Sequence, residues 1–223
     1  MSIKWIHQIS VDATLKGDTS GDSYARMGQR LHPSAVFKLW GLDDLRALMQ
    51  GSFGRDIAVA FDTLPTLTSR VNLARFCVLH EFGGLCFDTS IRFINAWVLP
   101  ATCGVAAFNM STGSSPSWIS MHPGLLLSQV GRPEWAMAIK HVIDCYRETD
   151  RPSDVLGQDS VGRAFAAVKV ARGHQADTDD QWVGEIRPIS TNSLQRVAAF
   201  VAPDKLLVAI TRTAGSLGAY VIP

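Results

Sequence analysis

The sequence predicts a layered α/β fold, with a largely parallel central sheet flanked by helices in a single domain. Two observations predict it. Short apolar runs of strand length alternate with longer segments of helical period, and Gly and Pro residues punctuate the joints between them. The chain has 223 residues, 47% of them hydrophobic and 18% charged, which suffices for one sizeable core and is short for two.

Taken in order, "IKWIHQI" reads as a first strand and "YARMGQRLH" as a helix stopped by Pro33. "AVFKLW" reads as a second strand, and "LDDLRALM" as a short helix with Leu42, Leu45 and Leu48 at helical spacing. "IAVAF" reads as a third strand. "LTSRVNLARFCVLHEF" is a longer helix, with Thr or Ser available to cap its start and Gly83-Gly84 to end it. "LCFDTSIRF" reads as one strand and "GVAAFN" as another, and Pro133 opens a helix "EWAMAIKHVIDCYRE" whose Trp135, Ile139, Val142, Ile143 and Tyr146 form a core stripe. From Gln181 onward the chain is richer in strand patterns. "ADTDDQ" lacks the glycine and spacing of a calcium loop and reads as solvated.

Composition excludes several classes of function. With 21 basic and 20 acidic residues and a formal charge of +1, nothing in the balance attracts nucleic acid or an anionic membrane. The start "MSIKWIHQIS" lacks the apolar core of a signal peptide, and no run reaches the roughly 18 apolar residues of a membrane span, so a cytoplasmic location is expected. Cys77, Cys86, Cys103 and Cys145 show no metal or redox spacing and read as free thiols. There is no Ser-His-Asp order, P-loop or dinucleotide fingerprint to support a hydrolase, kinase or dehydrogenase.

Two anomalies remain. In "EFGGLCFDTSIRF" a carboxylate, Asp88, stands where a buried strand should emerge from the sheet. At a period of two it shares a face with Cys86, Ser90 and Arg92. In the preceding helix, apolar nearly all the way round from Val71 to Phe82, Asn72 and Arg75 sit three apart on one face. A buried guanidinium needs a partner, so Arg75 is either tied to a structural carboxylate or aimed at an anionic ligand. His7 in "WIHQI", with Gln8 beside it, either faces a nucleotide or is satisfied in the core.

The segment "SRVNLARFCVLHEFGGLCFDTSI" resembles the sugar-binding DxD region of glycosyltransferases of the Och1-like and clostridial-glucosylating-toxin kind (glycosyltransferase family 32 type). Weaker similarity extends over "KWIHQI", "FKLW", "VLGQDS" and the closing "AITRTAGSL". The resemblance implies a GT-A-like, Rossmann-type domain over residues 1–223, with a nucleotide-sugar-binding half at about 1–97 and an acceptor-side half at about 98–223. It further implies a nucleotide-sugar donor, a manganese or magnesium ion, and hexosyl transfer with retention to a glycan, lipid-linked or protein acceptor. By position, Asp88 matches the motif's first Asp, which contacts donor and metal, and Arg75 matches a donor-contacting Arg. Asn109 and His122-Pro123 resemble the segment lining the acceptor side.

The chemistry explains the pattern, because a diphosphate leaving group gains negative charge that a cation or a fixed Arg stabilises. Here Ser90 stands where the second, metal-binding Asp is expected, and Asn72 where an Asp holds the donor sugar. Thr211-Arg212 replaces a His in the closing motif, and Leu217 replaces a Trp. A serine hydroxyl is a weak, neutral ligand for a hard cation, so Asp88 with Ser90 makes a poor metal pair. Two readings follow: an active enzyme in which Arg75, Arg92 or Arg212 supplies positive charge, or a catalytically degenerate relative that binds a nucleotide, glycan or protein. On the first, Arg92 lies about 7 Å from Ser90 along one strand face at ~3.3 Å per residue. Asp88 and Arg75 should meet with both side chains reaching an open pocket, and Asp88→Asn should leave the melting temperature nearly intact.

Overall fold

The structure, a computed structural model, describes residues 3–10, 26–97, 100–110, 120–148, 156–173, 180–189, 196–204 and 206–213. Its elements are β1 (Trp5–Ile9), α1 (26–31), β2 (Val36–Trp40), α2 (Leu42–Leu48) running into a π-helical turn (Met49–Phe53), α3 (Arg55–Thr63) and α4 (Leu67–Phe82). They continue with β3 (Gly84–Phe87), β4 (Ile91–Phe93), β5 (Val105–Asn109), β6 (Leu125–Ser128), α5 (Pro133–Arg147), α6 (Leu156–Arg172), β7 (Gln181–Ile189), β8 (Arg196–Val201) and β9 (Leu207–Thr213).

The strands form one nine-stranded sheet in the order β2-β1-β3-β6-β5-β7-β8-β9-β4. The expected largely parallel sheet is corrected to a mixed one. β1 pairs in parallel with β2 and β3, and β5 with β7, while β6 runs antiparallel to both its neighbours and β7, β8, β9 and β4 form an antiparallel series. Parallel pairs need a crossover, supplied by α1 between β1 and β2, by α2 to α4 between β2 and β3, and by α5 and α6 between β5 and β7. The tail has only short connections and therefore folds as antiparallel strands.

The sheet is also curled. Six strand steps separate β3 from β4, about 29 Å in a flat sheet at ~4.8 Å each, yet only three residues join them. That linker reaches at most about 15 Å, so the far edge must bend back over β3. Phe87 and Phe93 meet edge-on across the resulting seam with ring centroids 4.9 Å apart. One core lies inside the curl, including Ile6, Leu85, Phe87, Ile91, Phe93, Phe108 and Phe200. The other lies between the outer sheet face and the helices, including Phe61, Phe76, Cys86, Trp135 and Phe165. Leu85 and Phe87 face the first core and Cys86 the second, which is the expected period of two.

Three other sequence expectations change. "IAVAF" lies within the helix α3: Ile57 and Phe61, four apart, face the core while Val59 between them is exposed, the opposite of what a strand would do. "LCFDTSIRF" is two strands broken by a turn at Asp88, where the Ile91 amide donates to the Asp88 carbonyl at 3.0 Å. "VLGQDS" gives the start of α6 from Leu156, not a motif loop, and the apolar run Leu125–Ser128 adds a strand, β6. Among the described residues, no helix is long and apolar enough to cross a membrane.

Candidate functional site

The long helix α4 begins at Thr66, whose hydroxyl accepts from the Ser69 amide at 3.1 Å, and ends at Gly83. Gly83 and Gly84 both take positive φ, +62° and +87°, and a Cβ on either would strike the backbone of β6's exit or of Trp5. This pair turns the chain straight from helix into β3 while letting the start of β3 lie hard against β1 and the exit of β6. The tight reversal is what brings Arg75, on the helix, to Asp88, at the carboxyl end of the strand.

Arg75 donates from Nη2 to Asp88 Oδ1 and from Nη1 to Asn72 Oδ1, the latter at 2.8 Å. The guanidinium is only 2% exposed, and its Nε has no hydrogen-bond partner. The Asp88 side chain is 40% exposed. The two residues thus meet as expected, but only Asp88 reaches open space, and Arg75 sits behind it as a clamp. This corrects the expectation that both side chains line a pocket. It also makes Asp88 the counter-charge of a buried cation, which bears on folding as much as on binding. Nearby, burial pushes the Cys86 thiol up to about 11 against the pull of Arg75, so it stays protonated.

Two residues of the β6 approach complete the arrangement. The Asp88 amide donates to the Gly124 carbonyl at 2.9 Å, and the Gly124 amide donates to His122 Nδ1 at 3.0 Å. A Cβ on Gly124 would overlap Asp88 Oδ2 and stand 2.6 Å from His122 Cε1, so glycine is required for carboxylate and imidazole to lie side by side. The His122 ring packs edge-on against Phe200 at 5.1 Å and 87°. Desolvation lowers its pKa to about 4 despite the nearby Asp88 charge. Sequence reasoning noted His122-Pro123 but missed Gly124, which has no signal apart from its contact.

No protein-family model matches the chain, and no curated protein matches it. Among solved structures it superposes on a chain described as PaToxG Glycosyltransferase, with a TM-score of 0.57 and 10% identity over 79% of this chain and 74% of that one. The chain has the fold of a glycosyltransferase. Identity this low carries architecture alone, so the chemistry rests on the residues of the site.

On this glycosyltransferase fold the other sequence candidates scatter. His7 is fully buried; Trp40 Nε1 donates to its Nδ1 at 3.1 Å, so its Nε2 carries the proton and donates to the Gly83 carbonyl at 2.9 Å. Burial holds its pKa down to about 4, and it serves to pin the Gly83 turn. Gln8 is buried on β1 with its Nε2 unpartnered. Asn109 ends β5 and bridges Met121, next to His122. Ser90 is exposed in the turn after Asp88, and so does not share a strand face with it. Arg92 is exposed on β4 while its neighbours Ile91 and Phe93 face the core. Arg212 lies on β9, where its side chain falls outside the described residues. The antiparallel pairing Ile91 to Thr211 brings its backbone beside Ser90. Residues 214–217 of the closing motif, Leu217 included, lie outside the described residues.

The donor set does not fit a resident divalent cation. Asp88 Oδ1 is already bound by the Arg75 guanidinium, Ser90 is neutral, and no group of three or more His, Cys, Asp and Glu converges among the described residues.

Proposed function

We propose that the chain is a glycosyltransferase of GT-A type, a single domain that transfers a hexosyl group from a nucleotide-sugar donor to a glycan, lipid-linked or protein acceptor with retention at the anomeric carbon. The observation that carries this reading is Asp88. On a glycosyltransferase fold, at the carboxyl end of a central strand, a carboxylate that is 40% exposed has one oxygen held by Arg75, whose guanidinium is held in turn by Asn72. Asp88 Oδ2 accepts hydrogen bonds from donor hydroxyls, and Arg75 holds it in place without touching the donor. The growing charge of the leaving diphosphate falls to a basic side chain. Arg212 is the first candidate because β9 places it beside Ser90, and Arg92 is the second. The nucleotide-sugar half (about 1–97) supplies Arg75 and Asp88, and the acceptor half supplies Gly124 and His122.

A second reading, a non-catalytic nucleotide-, glycan- or protein-binding module, is favoured by the same clamp, which neutralises Asp88, and by Ser90 in place of a second acid. One experiment separates them. Melting temperature is followed with UDP-glucose, UDP-N-acetylglucosamine and GDP-mannose, each with and without manganese, and hydrolysis of any stabilising compound to free sugar is then measured. Stabilisation with hydrolysis supports the enzyme, stabilisation alone supports the module, and no stabilisation by any of the three defeats the nucleotide-sugar reading.

A further inference from the structure

The reading above gives His122 a place but no chemistry, yet its geometry is built. The Gly124 amide occupies Nδ1, which forces the ring proton onto Nε2, and that Nε2–H has no hydrogen-bond partner among the described residues. Phe200 fixes the ring plane. Cε1, bonded to Nε2, and Asp88 Oδ2 both crowd the same point above Gly124, so the Nε2–H and this carboxylate oxygen belong to one small patch. The patch carries no net charge, because Arg75 cancels Asp88 and the imidazole is neutral.

We propose that His122 and Asp88 form a donor–acceptor subsite for two neighbouring hydroxyls of a neutral sugar ring, one donating to Asp88 Oδ2 and the other accepting from His122 Nε2. A patch with one acceptor, one donor and no net charge suits a diol and offers little to a phosphate, which would meet the carboxylate's repulsion. The subsite therefore reads the sugar of a nucleotide sugar and not its diphosphate. This rests on the nucleotide-sugar reading and adds to it the residue that discriminates sugar from bare nucleotide.

The test is calorimetric titration of UDP-glucose, UDP-N-acetylglucosamine and GDP-mannose, with UDP and GDP as controls, on wild type, His122→Phe and His122→Gln. In the wild type at least one nucleotide sugar binds more tightly than its nucleoside diphosphate. His122→Phe keeps the contact with Phe200 and lowers that preference about three- to tenfold, the worth of one hydrogen bond, while affinity for UDP or GDP is unchanged. His122→Gln, whose amide still donates, restores part of it. If UDP-glucose is the compound bound, its deoxy analogues test the wild type without mutation: removing each of two adjacent hydroxyls weakens binding, and removing the others does not. An unchanged preference in His122→Phe, an equal loss for sugar nucleotide and bare nucleotide, or deoxy analogues that all bind alike would overturn the subsite and leave the nucleotide-sugar reading standing. Absence of binding by all five compounds overturns both.

Discussion

Asp88→Asn is the sharpest perturbation of the clamp. Asp88 is the ion-pair partner of a guanidinium that is 2% exposed, and among the described residues Arg75 has no other. The amide can still accept a hydrogen bond from Nη2, but the counter-charge is gone. Breaking a buried pair by removing one partner costs about 3–5 kcal/mol. Because Asp88 is 40% exposed and water reaches its side of the pair, about 2–3 kcal/mol is the better figure. In a chain of this size that lowers the melting temperature by about 4–12 °C. Thermal or urea melts of wild type, Asp88→Asn, Arg75→Met and the double variant test it. With the cation removed, the Asp88→Asn step should cost almost nothing, giving a coupling of about 2 kcal/mol between the two sites. An Asp88→Asn protein melting within a degree of wild type, or equally destabilised with and without Arg75, would refute the clamp. It would restore the sequence-based expectation of a carboxylate dispensable for folding.

Gly124→Ala places a methyl group into Asp88 and within 2.6 Å of His122 Cε1, against an ordinary carbon separation of about 3.5–4.0 Å. It should cost about 1–3 kcal/mol in melts and abolish nucleotide-sugar binding, and a variant that keeps both would show that the patch is slack. His7 has a folded-state pKa of about 4 against an ordinary 6.5, so between those values the unfolded chain binds the proton that the folded chain refuses. Its contribution is complete above about pH 6.5 and falls by up to ~1.4 kcal/mol per pH unit as the solution is acidified towards pH 4. His7→Asn, which keeps an acceptor for Trp40, should flatten the acid side of the melting-temperature profile, and an unaltered profile would contradict this. Chelation by EDTA should leave nucleotide affinity unchanged while Arg212→Ala weakens it more than Arg92→Ala does. Affinity that collapses on chelation would mean that a metal binds through ligands other than those described.

The meeting of Arg75 and Asp88 was legible because each violates its surroundings: a guanidinium in an otherwise apolar helix, and a carboxylate at the end of an apolar strand. The turn between them and β4 was not. Phe87, Ile91 and Phe93 keep the alternation of a continuous strand across the break, and the partner that pulls Ile91 away, Thr211, lies near the other end of the chain. "IAVAF" misled because alanine satisfies either period, and the deciding exposure of Val59 depends on what packs around it. The exposure of Arg75 was equally hidden. Residue type announces that a buried guanidinium needs a partner, but not whether the partner then shuts it away from solvent. Gly124 carries no pattern in sequence and becomes informative only when its missing Cβ is set against Asp88.

The seam where β4 closes onto β9 also fixes when the site can exist. During synthesis Asp88 emerges with β3 long before β9 is made, and until β9 arrives Ile91, Arg92 and Phe93 have no strand to pair with. The turn carrying Asp88 is therefore unsupported on one side for most of the chain's elongation, and the last long-range pairing to form is the one that holds it. A chain stopped just before Leu207 would retain Arg75, Asp88, Gly124 and His122 and most of both cores, and would still lack a settled site.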